Sequence, residues 1–135
     1  MKARDIMTPN AEWIDASETV DNIARRLATN DIGAMPICEG DHLRGMVTDR
    51  DIVTKVIAEG RDPAQVRAIE LETGNPVTIG ADDSIEEAAQ TMAQYKVRRL
   101  PVIDGHKLIG MVSQADLVKA LPPDQATRML EAIST

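Results

Sequence analysis

The chain has 135 residues, with 22 Asp and Glu against 15 Lys and Arg, a net charge of −7 and 43% hydrophobic residues. That size suits one ordinary domain or two very small ones sharing a core, and the acidic balance argues against broad nucleic-acid binding and against an anionic membrane surface. No apolar run reaches the ~18 residues of a membrane span, the N-terminus lacks the apolar stretch of a secretory signal, and the single Cys38 cannot close an intrachain disulfide, which together point to a cytoplasmic protein.

Aromatic residues are nearly absent: Trp13, Tyr95 and no Phe. The core is therefore expected to be aliphatic, and platforms for stacking bases are missing. In chain order, Thr19 is placed to cap a helix whose apolar stripe is Val20, Ile23, Ala24 and Leu27. Ala34 to Cys38 reads as a short apolar strand, turned at Glu39-Gly40-Asp41 and answered by a strand from Leu43 to Val47. Thr48 then caps a second helix. Glu59 to Pro63 breaks the chain, with Pro63 suited to a first helical turn.

The pattern then repeats. Displaced by 65 residues without a gap, Ile14 to Val53 lies on Ile79 to Val118 with twelve identities in forty positions. Pro36 meets Pro101, Gly40 meets Gly105, Gly45-Met46-Val47 meets Gly110-Met111-Val112, and Asp51 meets Asp116. Ser84-Ile85-Glu86-Glu87 has the form of a full capping box, opening a helix with Ile85, Ala88, Ala89 and Met92 as its stripe. Strands at Leu100 to Ile103 and Leu108 to Val112 follow around Asp104-Gly105, and Ser113 caps the next helix. Each copy reads as strand, helix, strand, strand, helix. The boundaries are 2–60 for the first repeat, 61–67 for a linker, 68–121 for the second repeat and 122–135 for a helical tail. In that tail Met129, Leu130 and Ile133 form the apolar side, to pack on the repeats or on a second chain.

Two patterns bear on chemistry. Gly-Met-Val-Thr/Ser-x-x-Asp occurs at Gly45 to Asp51 and at Gly110 to Asp116. A cap hydroxyl and free N–H groups can hold a phosphate, and the carboxylate can accept both hydroxyls of a vicinal diol such as ribose. The same residues also make a short capping box, and both readings stand on sequence alone. Lys96-Val97-Arg98-Arg99 places two guanidiniums before a buried strand, where they either bind an anion or are solvated surface charge. Met46 and Met111 are core residues or cover a purine face. His42 and His106 do not align with each other, and with Cys38 they give no metal-ligand spacing. Cys38 is expected as a small buried hydrophobe. Nothing in the sequence assembles a nucleophile, a metal set or a paired acid and base, so an enzyme is not expected.

The duplicated unit, its Met35-Pro36-Ile37 and Leu100-Pro101-Val102 strands and its two Gly-x-Val-Thr/Ser-x-x-Asp ends resemble a tandem pair of CBS domains, over about residues 2 to 121. The resemblance implies an α/β fold of two units packed about a pseudo-twofold axis, commonly in a disc-shaped homodimer. It implies a non-catalytic regulatory module that binds adenosine-containing ligands between the units and senses energy or stress state. No cofactor, metal, nucleic acid or membrane is required. Carried over by position, Asp51 and Asp116 hold ribose hydroxyls, while Thr48 and Ser113 touch ribose or phosphate. Thr73, Val97, Arg98 and Arg99 complete the site of Asp51. Thr8, Ile32, Gly33 and Ala34 complete that of Asp116, and Met46 and Met111 lie near the base. The alternative is a dimeric module that contacts another protein and binds no nucleotide.

Overall fold

A computed structural model describes residues 1–71 and 76–134. The chain divides into two compact units: a continuous one, Glu12–Pro76, and one assembled from Met1–Ala11 and Val77–Thr135. We refer to these as the inserted unit and the flanking unit. Each is a small mixed sheet with helices, as the α/β reading expects.

The chain opens in the flanking unit with α1 (Ala3–Ile6) and β1 (Thr8–Pro9), neither of which the sequence pattern announced. The inserted unit follows with β2 (Ile14–Asp15), α2 (Val20–Asn30), β3 (Ala34–Glu39), β4 (His42–Thr48) and α3 (Asp49–Ile52). β2 runs parallel to β3, with Ile14 opposite Ile37, and β3 is antiparallel to β4. The hairpin turns at Gly40, whose φ of 64° requires no Cβ. Its register shifts at Ile37/Cys38, where Gly45 and Leu43 are the partners and Arg44 is the extra residue of a bulge. Ile14, Val20, Ile23, Met35, Ile37, Val47 and Val56 form the dry interior, each contributing about 1.5–3 kcal/mol by leaving water.

Several local expectations change here. Thr19 occupies the N-cap of α2, but its hydroxyl bonds the Asp21 carboxylate instead of a backbone N–H. Ala24 is exposed, so the buried stripe narrows to Val20, Ile23 and Leu27. The second helix does not continue regularly: after α3 the chain winds into a π-helical stretch, Val53–Ile57. Pro63 lies in a turn rather than a helix, with Gln65 N–H donating to the Asp62 carbonyl at 2.9 Å. Val66, in the segment read as a linker, is buried, and its carbonyl accepts the Val20 N–H at 2.8 Å.

The flanking unit resumes with β5 (Ile79–Gly80), α4 (Ile85–Tyr95), β6 (Arg99–Asp104), β7 (Lys107–Ser113), α5 (Gln114–Ala120) and α6 (Pro123–Ser134). β5 is parallel to β6, β6 is antiparallel to β7, and β1 adds antiparallel to β7 with Thr8 opposite Met111. The same bulge recurs at Val102/Ile103. At Ser84 the hydroxyl accepts the Glu87 N–H at 3.1 Å, but the Glu87 carboxylate does not close the other half of the expected box. The helix start is engaged by the N-terminal segment instead: Ala3 N–H donates to the Asp83 carbonyl at 2.8 Å and Ile85 N–H to the Met1 carbonyl at 3.1 Å. Arg4 Nε reaches Asp82 at 2.9 Å and reinforces that attachment. The terminal helix is present and packs on α4 and α5, with Ala126, Met129 and Ile133 joining the core of Ile85, Ala88, Met92, Leu117 and Leu121.

Candidate functional site

Both Thr/Ser-x-x-Asp motifs fold into complete capping boxes. Thr48 N–H donates to Asp51 Oδ2 at 3.0 Å and Asp51 N–H to Thr48 Oγ1 at 3.0 Å. Ser113 N–H donates to Asp116 Oδ2 at 2.8 Å and Asp116 N–H to Ser113 Oγ at 3.1 Å. The two sequence readings are not exclusive, however. An ionised carboxylate offers about four lone-pair sites, and the box uses one, so each Asp is oriented by its cap and still has acceptors for a diol. All four side chains are half-buried, within reach of a ligand.

The remaining candidates fall into two groups by unit. In the inserted unit, Ala34 lies opposite Thr48 and Met46 opposite Pro36. Gly33 accepts the Asp49 N–H at 2.9 Å through its carbonyl, so Ile32-Gly33-Ala34 is tied to the start of α3 beside Asp51. Lys55, one turn beyond, places Nζ 3.2 Å from Asp51 Oδ1; the sequence reading did not single it out, although its i, i+4 spacing was visible. In the flanking unit, Arg99 lies opposite Ser113, and Arg98 accepts the Gln114 N–H at 2.8 Å through its carbonyl. Thr8 is held opposite Met111, two residues from Ser113. Val97 is half-buried, whereas the Arg98 and Arg99 side chains are exposed and make no hydrogen bond or ion pair among the described residues. Met46 and Met111 are half-buried, neither fully core nor free. Thr73 lies outside the described residues.

Cys38 is 1% exposed, and burial, helped by the charge of Asp41, pushes its thiol up to about 11. It is an inert packing residue at neutral pH. Among the described residues no group of three or more His, Cys, Asp and Glu is gathered to hold a metal ion, and no helix is long and apolar enough to cross a membrane.

Two sequence repeats, each ending a hairpin in a hydroxyl–carboxylate box, define a regulatory or signalling module of the CBS type. The CBS domain family model matches residues 3–58 and 66–123, and the chain belongs to the CBS-domain proteins, which are typically non-catalytic. It is 41% identical over 132 residues to hypoxic response protein 1 of Mycobacterium tuberculosis, covering 97% of this chain and 92% of that protein. A crystal structure of Hypoxic Response Protein I with two coordinated zinc ions matches with a TM-score of 0.84 and 42% identity, covering 90% of this chain and 100% of that one. A crystal structure of CBSX2 in complex with AMP matches with a TM-score of 0.75 and 28% identity, covering 88% of this chain and 94% of that one.

Proposed function

We propose that this chain is a cytoplasmic, non-catalytic sensor that binds an adenosine-containing ligand and reports energy or stress state. The observation that carries the reading is the twice-built carboxylate, held by its own cap with acceptor capacity to spare. Asp51 and Asp116 take ribose hydroxyls, and Thr48 and Ser113 the neighbouring oxygens. Thr8, Ile32, Gly33, Ala34, Val97, Arg98 and Arg99 supply further contacts, with Met46 and Met111 against the base. Exposed guanidiniums without an acid partner among the described residues suit a phosphate in an otherwise acidic protein. The AMP complex of CBSX2 supports this ligand class.

Thermal melts with AMP, ADP, ATP, NAD, S-adenosylmethionine and adenosine test the proposal. A ligand at a hundred times its dissociation constant adds about 2.7 kcal/mol, worth several degrees here. Asp51→Ala then weakens that ligand at least roughly tenfold, the loss of a charge-assisted pair. Unchanged affinity in this variant removes the ribose role.

A second reading has its own observation. Val53 and Ile57 are 58% and 55% exposed, beside an open groove of about 470 Å³ lined by Ala24, Leu27, Ala28, Ile32, Ile52 and Val53 together with Asp31, Gly33 and Asp49. The exposed Val53 and Ile57 beside this mixed groove suit a homodimer or a protein target. Melts that no adenosine ligand moves, with a dimer that Val53→Glu dissociates in sedimentation, favour that reading alone.

A further inference from the structure

The two carboxylates are not equally available. Asp51 has a partner on each oxygen: Thr48 N–H on Oδ2 at 3.0 Å and Lys55 Nζ on Oδ1 at 3.2 Å. Asp116 accepts the Ser113 N–H on Oδ2 at 2.8 Å, but the residue 65 positions on from Lys55 is Ala120. Its Oδ1 has no hydrogen bond or ion pair among the described residues. The duplication has therefore kept the cap and changed the cation.

We propose that Lys55 makes the Asp51 site selective for phosphorylated ligands, while Ala120 leaves the Asp116 site open to uncharged nucleosides; this rests on the adenosine reading above. A ribose diol needs the carboxylate as acceptor. At Asp51 it competes with an ammonium group for Oδ1. A nucleoside that displaces the ammonium leaves it without an anion. A nucleotide brings its own anion, so Lys55 moves from carboxylate to phosphate as the diol takes Oδ1, and charge stays paired throughout. The pair suits such an exchange. It is half-exposed, at 39% and 23%, and exposed ion pairs are weakly held. Lysine adds a flexible four-carbon stem with a compact charge that can follow a phosphate. At Asp116 no ammonium occupies the carboxylate among the described residues, so a nucleoside breaks no ion pair there.

Calorimetric titration of the full chain with AMP and adenosine tests this. An Asp116→Asn background keeps an acceptor oxygen for the cap and reports the Asp51 site. In that background AMP binds more tightly than adenosine, and Lys55→Met reduces the AMP-to-adenosine affinity ratio at least roughly threefold, with AMP weaker and adenosine no weaker. In an Asp51→Asn background, Ala120→Lys raises the same ratio at the Asp116 site. AMP binding with a ratio that Lys55→Met leaves unchanged overturns the role of Lys55 and leaves the adenosine reading intact. The absence of binding by both compounds to the unmodified chain overturns the adenosine reading and this inference with it.

Discussion

Gly110 stands where the fold leaves no room for a side chain. It is buried in β7 beside β1, opposite Pro9. A Cβ built there lies 2.6 Å from Met7 Sδ and 2.7 Å from the Thr8 carbonyl oxygen. The sulfur ends a flexible side chain and can swing away. The carbonyl belongs to β1 and cannot move without opening the β1–β7 pairing that holds Thr8. Overpacking of this kind costs about 1–3 kcal/mol. With roughly 2.1 cal/mol/K of unfolding entropy per residue, Gly110→Ala lowers the melting temperature by about 4–11 °C. Calorimetry of the purified chain measures this directly. Adding Met7→Ala separates the two contacts: it relieves the sulfur alone and leaves most of the loss in place. A Gly110→Ala melt within about 1 °C of the parent refutes the argument, because β1 would then not need the close approach. Full recovery in the double variant assigns the clash to the side chain.

The other predictions concern titration and reactivity. Cys38, buried with its thiol raised to about 11, resists iodoacetamide in the native chain at pH 8 and reacts when urea is added; rapid stoichiometric native labelling would place it at the surface. The Asp82 carboxyl is held below its ordinary value, first by the hydrogen bond from Arg4 and then by the charges of Arg4 and Lys2. Its contribution to stability is full above the unfolded-state value of about 3.9 and fades as pH falls through the lower folded one. Carboxyl-carbon NMR then gives Asp82 a midpoint below that of a free aspartate, which Arg4→Ala raises. A midpoint indifferent to Arg4→Ala counts against the attachment of the N-terminal segment.

The repeat made most of the architecture legible, because buried strand residues and turn glycines recur at one fixed interval. Helix ends were less legible. Asp31 and Lys96 terminate α2 and α4 in the left-handed conformation, at φ of 52° and 54°, and neither carries the glycine signal that marks such an end. The bulges at Arg44 and Ile109 left no local trace either, since an extra residue in a strand shows only against its partner. Thr19 illustrates the limit of a capping pattern. Asp21, two residues on, takes its hydroxyl, and propensity alone cannot say which acceptor wins. At the site, the Thr/Ser-x-x-Asp motif posed a choice between cap and ligand that counting lone pairs dissolves. The Lys55–Asp51 pair mattered only once its missing counterpart at Ala120 was compared.

The flanking unit is closed by residues that lie far apart along the chain, since Thr8 pairs with Met111 while Glu12–Pro76 forms a unit of its own between them. On the ribosome this imposes an order. The inserted unit has all its parts as soon as Pro76 emerges, whereas β1 waits for β7. At about 5–20 residues per second, the roughly hundred residues between them take on the order of 5–20 s to make. Met1, Ala3 and Arg4 meet Ile85, Asp83 and Ala81 earlier in that interval, but β1 itself stays unpaired until β7 is made. The last strand to be synthesised is therefore the one that recruits the first, and a stall before Lys107 leaves β1 unpaired.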